Sequence, residues 1–229
     1  ELLEIKAKCA DPRRTALEAS ADEIDIEDLI KEEECVITLT HFGYIKRIAA
    51  DVYRSQRRGG KGLTAMSTRE EDFVEHLFVT STHDYIMFFT TTGRAFRLKA
   101  YEIPEASRTA KGTAIVNLLQ LAQGEKIAAV IPVKDYNEDL YVLMATRNGL
   151  IKKTKLEEYS NIRKNGLAAI NLRDDDELIE VKTTDYETDI FLVTKYGMCI
   201  RFKETDVRPT GRMTMGVIGM NLDDGDEIV

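Results

Sequence analysis

The sequence predicts an all-β chain: a propeller-like disc of four-stranded blades, with a short helical remnant at the N-terminus. Two observations predict it. The chain carries four imperfect copies of one unit of roughly 50 residues, the period of a propeller blade. Each copy also runs through the same order: an apolar strand, a turn ending at glycine and a basic strand.

The first residues, Leu2 to Lys8, read as the end of a helix that Pro12 and the charged run around it break. Residues 1–34 are assigned to this helical end and an acidic linker, with nine carboxylates between Glu18 and Glu34. The repeats occupy 35–229, in units of approximately 35–82, 83–139, 140–189 and 190–229, the last incomplete.

The first unit opens with Cys35 to Thr40, turns at Gly43 and continues as Tyr44 to Ile48. Its counterparts are Tyr85 to Thr90, Gly93 and Arg94 to Lys99; Leu140 to Ala145, Gly149 and Leu150 to Lys155; and Ile190 to Lys195, Gly197 and Met198 to Lys203. The turn glycines mark hairpins. A second glycine follows at Gly62, Gly112, Gly166 and Gly216, at spacings of 19, 19, 17 and 19 residues. An apolar strand is expected after it, with Asn117-Leu118, Asn171-Leu172 and Asn221-Leu222 recurring in three copies. An acidic or polar turn then leads to a last strand at Phe73 to Thr80, Lys126 to Val133, Glu177 to Lys182 and, begun, Glu227 to Val229.

Net charge is −8, which at first argues against a polyanionic partner. Its distribution reverses that. The windows 45–62, 92–112, 147–164 and 195–212 hold 22 Lys and Arg against 7 Asp and Glu, a net +15, which leaves −23 for the remainder. Stacked repeats bring equivalent segments to one edge, so four basic windows join into one belt, and the acidic turns keep other surfaces from trapping polyanion. The densest element is Gln56-Arg57-Arg58-Gly59-Gly60-Lys61-Gly62, three cations on a loop whose glycines let the main chain approach a ligand closely. Such a loop suits a phosphate backbone.

Other chemistries find little support. His41, His76 and His83 do not form a zinc spacing with Cys35, and the sequence holds neither a phosphate loop followed by Lys-Ser or Lys-Thr nor a Ser/His/Asp order. Neither a catalytic residue nor a metal site is expected. The three cysteines, Cys9, Cys35 and Cys199, are odd in number and far apart, which favours reduced structural thiols. Without a stretch of roughly 18 apolar residues or a signal-like start, the chain reads as soluble and cytoplasmic.

The seven-residue box, the blade repeat and the phrases Thr82-His83-Asp84, Ile103-Pro104-Glu105-Ala106 and Ile115-Val116-Asn117-Leu118-Leu119 resemble the C-terminal domain of bacterial DNA gyrase A subunits, over nearly the whole chain and as a fragment. The resemblance implies a β-pinwheel whose blades exchange strands and whose basic rim wraps duplex DNA without strong sequence preference. It gives the box, Gln56 to Gly62, the anchoring role. It makes rim candidates of Lys46, Arg47, Arg94, Arg97, Lys99, Arg108, Lys111, Lys152, Lys153, Lys155, Arg163, Lys164, Arg201, Lys203, Arg208 and Arg212. The implied partners are double-stranded DNA, a second A subunit of the holoenzyme, and the gyrase B subunit. The isolated domain is expected to be a monomer. The chain itself is expected to need no cofactor and to catalyse nothing; ATP and Mg2+ serve the holoenzyme. Two alternatives remain: the topoisomerase IV counterpart, whose box is usually degenerate, and a propeller-type module that binds an acidic protein partner.

Overall fold

A strand whose successive side chains point to opposite faces can serve two cores at once, and that is how these apolar runs are used. The computed structural model describes residues 1–10, 26–52, 72–136 and 139–229, so the box at 56–62 lies outside the described residues. The chain divides into two compact units, Glu1–Lys31 and Glu32–Val229. In the first, α1 (Leu2–Cys9) has Glu4 in its first turn and Lys6 and Lys8 in its last, which complements the helix dipole, and it has no buried residue.

The second unit is all-β. In chain order its strands are β1 (Glu34–Thr40), β2 (Tyr44–Ala49), β3 (Val74–Ser81), β4 (Tyr85–Thr90), β5 (Arg94–Lys99), β6 (Thr113–Ala114), β7 (Ile127–Val133), β8 (Tyr141–Thr146), β9 (Leu150–Lys155), β10 (Leu167–Ala168), β11 (Leu178–Thr184), β12 (Asp189–Val193), β13 (Cys199–Lys203) and β14 (Val217–Ile218). Three sheets are four-stranded, in the orders β3-β1-β2-β6, β10-β5-β4-β7 and β11-β8-β9-β14, and a fourth pairs β12 with β13. All named pairings are antiparallel.

The outermost strand of each four-stranded sheet comes from the following repeat: β6 joins β2, β10 joins β5 and β14 joins β9. The expected strand after the second glycine is thus only two residues long. It belongs to the neighbouring blade, and after β6 the chain turns at once into a 3-10 turn, Ile115–Asn117. Among the described residues β13 has no such strand, and the fourth repeat closes only through the bridge Thr194 to Ile228.

The hydrophobic cores lie between successive sheets. On β4, Ile86 and Phe88 pack with Ile37, Leu39 and Ile45 of the first sheet, while Met87 and Phe89 pack with Val142 and Met144 of the third. On β8, Leu143 turns instead toward Ile190 and Leu192. Burial on both faces is why these strands are continuously apolar rather than alternating. Each fully buried Phe or Ile contributes about 1.5–3 kcal/mol.

The hairpins share one device. Gly43, Gly93, Gly149 and Gly197 adopt positive φ, and each donates its N–H to the carbonyl of a threonine three residues earlier: Thr40, Thr90, Thr146 and Thr194. The hydroxyl of the same threonine accepts the N–H of the residue after the glycine, at 3.1–3.2 Å. Acidic side chains then hold three of these turns from outside, Asp72, Asp176 and Asp226 accepting the N–H groups of Phe42, Asn148 and Tyr196 at 2.9–3.0 Å. At the fourth, Glu125 accepts the hydroxyls of Thr90 and Thr92 and the guanidinium of Arg94. Burial alone would raise the Glu125 carboxyl, but these bonds and the Ala122 N–H hold it below the usual range.

Candidate nucleic-acid interface

Strand exchange carries a loop from the second, third and fourth repeats across the outer strand of the one before it. The second glycine makes the crossing possible. A Cβ on Gly112 would stand 2.4 Å from the Ile45 carbonyl oxygen, and one on Gly216 2.4 Å from that of Ile151, both at positive φ. Only glycine lets the incoming backbone lie that close. The loops before these glycines hold Arg108 and Lys111, Arg163 and Lys164, and Arg208 and Arg212.

Cations of the receiving blade hold the arriving loop. Lys46 on β2 donates its ammonium protons to the carbonyls of Ser107, Arg108 and Ala110 at 3.2, 2.6 and 2.9 Å. Arg47 beside it reaches the Ile103 carbonyl and lies 3.8 Å from Glu105. On β5, Arg94 donates to the Asn165 carbonyl and Arg97 to that of Ser160. On β9, Lys152 donates to the carbonyl of Arg212 in the arriving loop and to that of Ala169 in its own repeat, and Lys153 makes a 2.9 Å ion pair with Glu204.

This corrects three expected rim residues. Lys46, Lys152 and Lys153 are only 0, 1 and 1% exposed, so their charge is spent inside the blade boundary and is not offered at the surface. Burial, helped by the charge of Arg108, lowers the Lys46 ammonium; burial pushes that of Lys152 down to about 8, with Glu158 opposing and Arg212 assisting.

Lys155, Arg163, Lys164, Arg201, Lys203 and Arg208 are exposed. Of these, Arg201 and Lys203 converge on Asp189, whose carboxyl is lowered by hydrogen bonds from Lys203 and then Arg201. Arg47, Arg94, Arg97, Lys99, Arg108, Lys111 and Arg212 are half-buried. Four lie above aromatic rings that steer them: Lys99 is 3.9 Å and Arg97 4.5 Å from the Tyr85 ring centre, Lys111 is 3.8 Å from that of Tyr44, and Arg94 is 4.7 Å from that of Phe96. Arg212 faces Glu158 at 3.8 Å. The charge outline of the loops was legible in the sequence; the inward role of the mid-strand cations was not. The signal that distinguishes them is position, since Lys46 lies between Ile45 and Arg47 within a strand, whereas Lys164 abuts Asn165-Gly166 in a turn.

The family model for the DNA gyrase C-terminal domain, beta-propeller, matches residues 36–81, 84–134, 140–185 and 188–229, one match for each repeat. The DNA gyrase A protein of Clostridium acetobutylicum is 60% identical over 219 residues, covering 96% of this chain and 26% of that protein. The chain therefore spans about a quarter of the length of the curated relatives it matches. Among solved structures, the C-terminal domain of DNA topoisomerase IV aligns with TM-score 0.75 at 32% identity, covering 87% of this chain and 61% of the other. A DNA gyrase A C-terminal domain aligns with TM-score 0.67 at 31% identity, covering 86% and 64%. With every repeat matched and its strands exchanged between neighbours, the chain belongs to the DNA gyrase C-terminal β-propeller family.

Proposed function

We propose that this chain binds duplex DNA with little sequence preference and wraps it along the loops that strand exchange carries to the outer strands. The observation that carries this reading is the recurrence of those loops. Each brings cations to the same place in successive repeats: Arg108 and Lys111, Arg163 and Lys164, Arg208 and Arg212. Phosphates recur regularly along a duplex, so a regular series of cations suits them better than it suits a folded acidic protein.

The energetics define what the surface must do. Bending 20–30 bp by 40–90° costs about 1–6 kcal/mol, and up to about 10 with sequence-dependent stiffness, so many phosphate contacts along a curve must offset it. Each neutralised phosphate releases counterions and adds about −0.9 to the salt slope. The box, Arg57, Arg58 and Lys61 among its residues, is the proposed anchor where the wrap is fixed. In the whole protein the wrap would present a neighbouring stretch of the same DNA for ATP- and Mg2+-dependent strand passage and negative supercoiling. That reaction would be carried out in the cytoplasm with a second A subunit, together with the gyrase B subunit. This chain would supply the wrap and none of the chemistry. Its 60% identity to a gyrase A protein favours gyrase over topoisomerase IV. Titration of a labelled duplex at several salt concentrations tests the reading: a steep salt slope supports it, and failure to bind at low salt would favour a protein partner instead.

A further inference from the structure

We propose that Lys46 and Lys152 are positioning residues for DNA binding: each, buried in one blade, donates to the backbone of the basic loop arriving from the next, Lys46 to three carbonyls and Lys152 to one, and so sets where that loop's surface cations lie. The inference rests on the DNA-binding reading above. It concerns two side chains that cannot themselves reach a phosphate, being 0 and 1% exposed.

The geometry around Lys46 carries it furthest. The carbonyls of Ser107, Arg108 and Ala110 converge on one ammonium, at 3.2, 2.6 and 2.9 Å. Three carbonyl dipoles aimed at one point repel one another unless a donor stands there, and an ammonium has three protons and no lone pair to waste. The loop so fixed contains Arg108 and leads to Lys111, whose ammonium is steered by the Tyr44 ring on the same receiving strand. Lys152 makes the equivalent contact with one carbonyl of its arriving loop, that of Arg212, itself a loop cation, and anchors its ammonium on its own repeat through a 2.7 Å bond to the Ala169 carbonyl.

The intervening blade is the control that the fold provides. There the register position is Phe96, and Arg94, two residues before it, donates to the Asn165 carbonyl, next to Arg163 and Lys164. An apolar side chain is therefore compatible with this position of the blade, and burying a cation there is the costlier choice. What the buried cation adds is a bond to the loop backbone, and in the Phe96 blade another cation supplies that bond.

The test uses the full chain and a labelled short duplex, with affinity measured across a salt series. Lys46→Met and Lys152→Met keep every exposed cation; the expected result is a salt slope shallower by about 0.9 to 1.8 for each, the loss of one to two phosphate contacts. Lys46→Gln, which retains two N–H donors, should fall between parent and Lys46→Met, and it decides the matter if far-UV circular dichroism shows a Met variant to be unfolded. Arg163→Ala with Lys164→Ala serves as the reference for direct charge removal, with an expected loss of about 1.8. Folded Met or Gln variants with the parent's slope would overturn this inference alone, while a parent that does not bind duplex would overturn the DNA reading and this inference with it.

Discussion

The Lys153–Glu204 pair predicts a large and specific stability loss. Both side chains are buried, at 1 and 0% exposure, and their 2.9 Å contact joins β9 to the segment after β13. Glu204 also accepts the Thr184 hydroxyl at 2.8 Å and the Tyr186 N–H at 2.9 Å, while the Lys153 ammonium lies 4.7 and 4.6 Å from the ring centres of Tyr141 and Tyr186. Replacing Lys153 by Met keeps the packing of the stem but leaves a buried carboxylate without its cation, which costs about 3–5 kcal/mol. For a chain of this size that is a fall of about 6–20 °C in Tm. Adding Glu204→Gln removes the stranded charge; its amide oxygen can still accept the Tyr186 N–H while its NH2 donates to the Thr184 hydroxyl oxygen, so the double variant should recover most of the loss. The chain has 0 Trp, so unfolding is best followed by far-UV circular dichroism in urea. A single variant within about 1 kcal/mol of the parent, or a double variant less stable than the single, would refute the reasoning.

Two further predictions rest on equally local features. Gly112→Ala and Gly216→Ala each force a Cβ to 2.4 Å from a neighbouring carbonyl oxygen at positive φ, whereas Gly124→Ala has positive φ with nothing within 4 Å. The left-handed conformation costs all three about 1–2 kcal/mol, so urea midpoints for the first two should fall well beyond that of Gly124→Ala; three equal shifts would contradict the close-approach argument. In the native chain at pH 8, a thiol-reactive chromophore should label exposed Cys9 and Cys199 and leave buried Cys35 unmodified until the chain unfolds. Burial, with Asp84 and Glu33 adding to it and Arg47 opposing, pushes the Cys35 thiol from 9.0 up to about 11, so this group's contribution to stability is present below pH 9 and lost as pH rises toward 11. Rapid native labelling of Cys35 would refute its enclosure.

Much of the fold could be read from residue order because it depends on local rules. Gly93 ends a turn that needs positive φ, and Tyr85 to Thr90 and Arg94 to Lys99 are the strands observed on either side of it. The threonine three residues before each turn glycine was an available signal, since its hydroxyl completes the turn. Strand exchange did not follow from the local pattern. Thr113 and Ala114 carry no mark of the blade they join, and only the closeness of Gly112 to Ile45 shows why a glycine must precede them. The same limit applies to charge. Lys152 and Lys164 contribute equally to a basic window, yet one is held at a blade boundary by the carbonyls of Ala169 and of Arg212, the latter 60 residues along the chain, and the other stands in solvent.

The central claim is that these repeats wrap DNA, and the linking number of a plasmid measures it directly. Singly nicked circular plasmid is incubated with the chain, sealed with ligase, freed of protein and resolved on a gel. Wrapping along the basic loops predicts a shift that grows with protein concentration and disappears in the Arg57→Ala, Arg58→Ala double variant while residual binding persists. An unchanged linking number despite salt-sensitive binding would contradict it.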